Sequence, residues 1–252
     1  MKIVLENLTK KFPSRSKKNK NEVIAVNNFN FEIPDGKLIG LLGPSGCGKS
    51  TLLNVLAGVL EAESGSVFVN GEVVKGVSSH FAYMPQSDLL LPWKTILDNV
   101  ALYGAIHGHK KEAEKRALQE FSVFGLEGYE NAYPKELSGG MRQRAAFLRT
   151  ALCSADIMLL DEPFGALDVI TRNEMQDWLL RLRRELGRTT LLVTHDIDEA
   201  LYLADRIVIL GGRPAKVVRE INLKGVKKNR EWLYEQTGLR KEIHNLLKPC
   251  GK

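Results

Sequence analysis

The apolar residues of this chain fall into two rhythms. Residues 2–12 alternate, with Ile3 and Leu5 on one side, in the manner of an edge strand. Residues 13–22 are polar and read as a loop. Residues 29–33 alternate again before Pro34-Asp35-Gly36 turns the chain. Residues 37–42 form a short apolar strand, and residues 50–60 then place Leu52, Leu53, Leu56 and Leu60 at helical spacing. Residues 67–69 and 81–84 read as further strands. From Ser87 to about Ala155 the texture turns helical, with candidate helices over 95–106, 110–124 and 140–152. Strands return with the unbroken apolar run 157–160. A helix over 169–186, stopped by Gly187, follows, then a strand over 190–194, a helix over 197–204 and a strand over 206–210. Residues 230–247 read as one or two amphipathic helices. Alternating strands and helices predict an α/β fold with a largely parallel sheet.

Composition narrows the setting. At 252 residues the chain suits one large α/β domain with room for a subdomain. No apolar run approaches the roughly 20 residues that span a bilayer, and Met1 leads straight into strand-like alternation without a signal-peptide pattern. The expectation is a cytoplasmic chain whose membrane role comes through a partner. Cys47, Cys153 and Cys250 have neither metal-ligand nor disulfide-framework spacing. The net charge of +6 lies largely in residues 10–20 and 224–230. Neither cluster interleaves aromatics that could stack on bases, so solvated loop charge is the favoured reading and no nucleic-acid partner is expected.

The chemistry sits in two glycine-rich helix openers. Gly43-Pro44-Ser45-Gly46-Cys47-Gly48-Lys49-Ser50-Thr51 matches G-x-x-x-x-G-K-[ST] between a strand and a helix. Such a loop wraps phosphates with bare N–H groups; Lys49 reaches the β and γ oxygens and Ser50 ligates Mg²⁺. Cys47 lies inside the loop, as a small filler or a thiol whose modification would block the site. Ser138-Gly139-Gly140 opens a second helix, with Ser138 a good N-cap and the glycines allowing close approach of an anion; alone it reads equally as an ordinary capped helix. The apolar strand before Asp161-Glu162 ends where ligands bind open α/β sheets. There Asp161 would hold Mg²⁺ and Glu162 would polarise an attacking water, although paired acids at a strand end also serve as caps.

Taken together these residues resemble the ATP-binding subunit of an ABC transporter. Residues 43–51 resemble the Walker A loop, 157–162 the Walker B strand and 137–141 the signature motif. Gln86 resembles the Q-loop glutamine, Gly165-Ala166-Leu167-Asp168 the D-loop, and His195 the switch histidine. Phe12 falls where the family stacks an aromatic on adenine. The resemblance implies a P-loop NTPase core at 1–86 and 156–212, with a mixed, largely parallel sheet and an antiparallel N-terminal β subdomain. It also implies an inserted helical subdomain at 87–155 and a C-terminal strand and helical extension at 213–252. It implies ATP hydrolysis with Mg²⁺ held by Ser50, Gln86 and Asp161. Glu162, His195, Lys49 and Gln86 would be catalytic, while Phe12, residues 43–51, Ser138, Gly139 and Gly140 would bind ATP. The partners implied are a second copy, closing head-to-tail on two ATP molecules with Asp168 coupling the sites, transmembrane permease subunits, and indirectly an extracytoplasmic solute-binding protein. The place implied is the cytoplasmic face of the membrane. The stretch Leu91-Pro92-Trp93, followed by Asp98-Asn99-Val100, resembles importers of nitrate, sulfonate, taurine, thiamine precursors or riboflavin-like compounds. An exporter subunit or a non-transport ATPase, such as a metal-cluster assembly factor, is the alternative.

Overall fold

The chain enters with two long strands, β1 (Ile3–Phe12) and β2 (Val23–Ile33), paired antiparallel with Ile3 opposite Ile33. In the computed structural model residues 2–13, 22–223, 225–226 and 228–248 are described. The basic insert at 14–21, Cys250, Lys224 and Lys227 lie outside them. β2 begins six residues before the expected 29–33. The β1–β2 register shifts three times between Leu5 and Lys11, and Asn28 sits at φ 46°, so the period-2 signal breaks although pairing continues. Next come β3 (Leu38–Leu42), α1 (Lys49–Leu56), β4 (Ser64–Val69) and β5 (Glu72–Val74). α1 stops before the expected Leu60, at Ala57 and a left-handed Gly58. The β4–β5 hairpin, unforeseen in the sequence, turns on Asn70 and Gly71, both at positive φ. One sheet is thus β2-β1-β4-β5, antiparallel throughout.

The second sheet carries the site. β6 (Phe81–Met84) precedes a helical stretch of α2 (Ile96–Val100), α3 (Leu102–Ile106), α4 (Lys110–Phe121) and α5 (Gly139–Ala151). The expected helix over 95–106 is broken at Ala101, whose ψ of 5° leaves the helical region. Then follow β7 (Ile157–Asp161), α6 (Val169–Leu186), β8 (Thr189–Val193), α7 (Ile197–Leu203), β9 (Arg206–Gly211), β10 (Lys216–Asn222), α8 (Arg230–Glu235) and α9 (Thr237–Leu247). The strand order is β10-β9-β3-β8-β7-β6, parallel except for β10.

β3, β7 and β8 are buried along their whole length. That is why they read as unbroken apolar runs: the sheet is covered on both faces. Alternate residues serve opposite cores. Leu38, Leu42, Met158, Leu160, Leu192, Ile207 and Ile209 face the helices. Ile39, Leu41, Ile157, Leu159, Leu191, Val193, Val208 and Leu210 face α1 and the antiparallel sheet.

An aromatic knot joins the helical stretch to the main sheet. Phe147 of α5 meets Phe164, just beyond β7, edge-on at 5.4 Å and Trp178 of α6 at 5.6 Å. Phe124 closes on Trp178 at 4.7 Å. A second brace is Asn99 of α2, which is fully buried. Its Oδ1 accepts from the Leu91 N–H at 2.7 Å, and its amide donates toward the carbonyls of Leu91, Lys94 and Thr95. Replacing Asn99 with alanine strands those groups in a buried loop. Asn99→Ala is therefore expected to lower unfolding free energy by about 2 kcal/mol, read by urea denaturation.

Candidate functional site

β3 delivers the chain into the first glycine loop, and α1 starts at its far end. Gly48 takes φ 110°, and a Cβ there would lie 2.8 Å from the Ala25 carbonyl. A Cβ on Gly43 would lie 2.8 Å from the Leu210 carbonyl. Both positions require glycine, so the loop can curl tightly, with the Cys47 N–H donating back to Pro44 O at 3.3 Å. Lys49, 7% exposed, folds back so that its Nζ donates to the carbonyls of Gly43 at 2.6 Å and Pro44 at 3.0 Å. Pro44, Ser45, Gly46, Ser50 and Thr51 are all at least partly exposed along the same loop and helix start. The Cys47 side chain is buried in the core beneath the loop and offers no thiol to the face where phosphate would sit. This favours its reading as filler.

Asp161 ends β7 and is 2% exposed. Burial pushes its carboxyl up; the Ser50 hydroxyl and the Lys49 ammonium pull it back, while Glu162 adds to the rise. Its Oδ1 is buried with no hydrogen-bond partner. A buried, orphaned carboxylate oxygen beside a serine hydroxyl is a donor set that fits a hard divalent cation such as Mg²⁺.

Glu162 adopts φ 50°, a left-handed conformation that a non-glycine residue holds at a cost of about 1–3 kcal/mol. Its N–H donates to Val193 O at 2.9 Å, so the turn is pinned to β8. The turn swings the carboxylate toward two loops. Glu162 Oε2 accepts from Gln86 Nε2 at 3.1 Å and lies 3.3 Å from His195 Nδ1. Three residues from separate loops, predicted from sequence, therefore meet at one oxygen.

The other predicted residues lie apart from that point. Ser138 caps α5 by accepting from the Met141 N–H at 3.3 Å, and its hydrogen bonds run within its own helix start. Ser138 and Gly139 are exposed. Asp168 caps α6 by accepting from the Thr171 N–H at 3.1 Å; that bond holds its carboxyl below the usual carboxylate range. Phe12, at the end of β1, is half-buried, with Lys10 Nζ 5.5 Å from its ring centre.

Three residues tie these parts together and were not singled out in the sequence. Gln143, buried on α5, donates to Glu162 O and Pro163 O, each at 3.4 Å. Arg172 on α6 bridges Leu167 O at 3.0 Å and Asp196 Oδ2 at 3.3 Å. Glu199 is 4% exposed on α7. A signal existed for Gln143: it shares the stripe of Ala146, Phe147 and Thr150, where a polar residue is out of place.

Residues 26–165 match the family model described as ABC transporter. An uncharacterised ABC transporter ATP-binding protein, MJ0412 of Methanocaldococcus jannaschii, is 39% identical over 98% of this chain and 92% of its own length. The taurine import ATP-binding protein TauB of Rhizobium johnstonii is 41% identical over 82% of this chain and 79% of its own. The formylaminopyrimidine import ATP-binding protein ThiZ of Halalkalibacterium halodurans is 40% identical over 88% and 89%. Among solved structures, the ATP-binding cassette MJ0796, dimeric and bound to ADP and Pi, superposes with a TM-score of 0.79 at 31% identity. That match covers 89% of this chain and all of the cassette. Among the described residues no helix is long and apolar enough to cross a membrane. The chain belongs to the ABC transporter family, as an ATP-hydrolysing, ATP-binding subunit.

Proposed function

We propose that this subunit drives an importer of a small solute by closing on ATP as a head-to-tail pair. The solute is of the sulfonate, taurine or nitrate kind, or a thiamine-precursor or riboflavin-like compound. The observation that carries the hydrolytic reading is the meeting of Gln86 and His195 on one oxygen of Glu162.

When a triphosphate enters, Lys49 exchanges its two loop carbonyls for β and γ oxygens, and the N–H groups of residues 43–51 cradle the phosphates. Phe12 stacks on the adenine. Ser50, Gln86 and Asp161 would hold Mg²⁺, which would supply charge neutralisation to the phosphates. Glu162 takes the proton of the attacking water as general base, and His195 and Gln86 hold that water in line. Ser138, Gly139 and Gly140 sit at the exposed opening of a 13-residue helix and face the γ-phosphate bound to the second copy. Asp168 lies at the junction of the two sites.

The same helix reaches toward residues 88–93, the segment after Gln86 that would dock the permease. Arg142 Nε donates to Asp88 Oδ2 at 3.1 Å, while Arg149 donates to the carbonyls of Asp88 at 2.7 Å and Leu89 at 2.9 Å. Movement of α5 on ATP binding thus pulls directly on residues 88–93. Leu89 and Trp93, 70% exposed, stand out from that segment as apolar anchors for a permease segment. Trp93→Ala is expected to spare ATP binding and weaken assembly with the permease by about thirtyfold, the size of a 2 kcal/mol anchor. Co-purification of the complex from detergent, with each variant tagged, measures this. Undiminished assembly would remove Trp93 from the docking surface.

A further inference from the structure

The helix that follows His195 carries an acid in its apolar face. Glu199 is 4% exposed on a helix whose Ala200, Leu201 and Leu203 are also buried. Its Oε1 is buried without a hydrogen-bond partner. Burial pushes its carboxyl up to about 8; the negative charges of Asp196 and Glu162 act in the same direction, and Thr194 and Arg172 oppose them. At neutral pH Glu199 therefore keeps its proton.

The groups around it are already committed. Arg172 spends its outer nitrogens on Asp196 Oδ2 and Leu167 O, and its Nε is buried without a partner. Asp196 caps α7 through the N–H groups of Asp198 at 2.8 Å and Glu199 at 3.1 Å. Its own N–H donates to Thr194 Oγ1 at 3.0 Å. Glu162, Arg172, Thr194, His195, Asp196 and Glu199 line one small cavity of about 30 Å³. The charged and titratable groups facing Glu199 are thus Asp196 from its own helix start, Arg172 from α6, Glu162 from the turn after β7 and His195 from the turn after β8.

We propose that Glu199 is a positioning residue: its carboxyl, lodged behind Glu162 and His195, sets the spacing of those two groups and links them through Arg172 to the loop that carries Asp168. As a neutral acid it fills the space without adding charge. As a carboxylate it would add a third negative charge beside Asp196 and Glu162, with Arg172 already engaged, and would drive the turns apart. Any rearrangement of the Asp168 loop on dimer closure passes through Leu167 O and Arg172 to Asp196, and Arg172 and Asp196 line the cavity that His195 and Glu199 share. The inference rests on the reading of Glu162 and His195 as hydrolytic residues.

The test compares steady-state ATPase activity of the purified full chain with its Glu199→Gln and Glu199→Ala variants between pH 6 and 9.5. Glu199→Ala is expected to lower kcat about tenfold with KM for ATP little changed. Glu199→Gln, uncharged and of the same shape, should recover most of that loss. The unmodified chain should lose kcat as pH rises through about 8, whereas Glu199→Gln should lack that alkaline limb. Thermal unfolding supplies a second reading. An acid whose folded pKa is raised stabilises below its unfolded pKa, and that stability is lost as pH rises through the folded value. The Tm of the unmodified chain should therefore fall relative to that of Glu199→Gln as pH rises from 6 to about 8, and the difference should level off above it. An alkaline limb shared by both proteins, or a Gln variant as impaired as the Ala variant, would overturn the proposal. Glu162→Gln assayed alongside separates the two readings. Normal turnover there overturns the hydrolytic assignment itself, whereas its expected loss leaves the Glu199 outcome to stand alone.

Discussion

Glu162→Gln is expected to cut steady-state ATP turnover at least about a hundredfold while leaving ATP affinity nearly unchanged. The amide is the same size, and its oxygen can still accept from Gln86, which now lies 3.1 Å from Oε2. Its backbone conformation, with the N–H pinned to Val193 O, does not depend on the side-chain charge. What disappears is the capacity to take a proton from water. Removing one negative charge also relieves repulsion toward a bound γ-phosphate, so the nucleotide should dwell longer. Single-turnover hydrolysis and equilibrium binding of a fluorescent ATP analogue measure the two effects separately. Turnover within a few-fold of the unmodified chain would exclude Glu162 as the base.

Lys49→Ala should act on the other side of the reaction and weaken ATP binding about a hundredfold or more. Two charge-assisted hydrogen bonds to phosphate oxygens, at about 1.5–3 kcal/mol each, are lost together. A second cost falls on Asp161. The Lys49 ammonium helps offset the burial that raises that carboxyl, so removing it lifts Asp161 further and weakens its hold on a divalent cation. The empty protein should be affected far less. Lys49 braces Gly43 O in a buried bond and Pro44 O in a part-buried one, and water can readily replace only the second. Titration with and without Mg²⁺, beside a thermal melt without nucleotide, distinguishes a binding defect from an unstable loop. An unaltered affinity would mean that the loop holds phosphate by its backbone alone.

Most of the architecture is legible in the chain because the central strands are buried on both faces. Residues 157–160 and 190–193 can only sit between layers, and the glycine-rich loop fixes which strand meets which helix. The failures have local causes. β2 lost its first residues because Ala25 and Val26 are both buried while Asn27 and the left-handed Asn28 are both exposed, which breaks the alternation that a pattern search follows. The β4–β5 hairpin was lost because β5 spans three residues. In the site, the residues that would touch ATP are written in contiguous motifs and could be picked out one by one. The residues that position them are not. Gln143, Arg172 and Glu199 act across packing contacts between α5, α6, α7 and the turns after β7 and β8. Their partners lie 19–24 residues away for the hydrogen bonds of Gln143 and Arg172 that cross between elements. No local pattern encodes such a pairing. Phe164 is similar: it looks like one more residue of the D-loop run, yet it is the aromatic that docks α5 against the Glu162 turn.

The two helix openers lie on separate parts of the chain, and under the proposed function each supplies half of a phosphate site. Lys49, Asp161 and Glu162 sit around one; Ser138 and Gly139 stand bare at the other. Completion by a second copy is the central claim, and the slow Glu162→Gln variant makes it measurable. Sedimentation equilibrium of that variant, with saturating ATP and Mg²⁺ and with nucleotide counted after rapid desalting, is the direct test. The account predicts a particle of twice the 28.2 kDa chain mass holding two ATP molecules, reverting to monomer when nucleotide is withdrawn. A 28.2 kDa monomer that binds one ATP at saturation would contradict it.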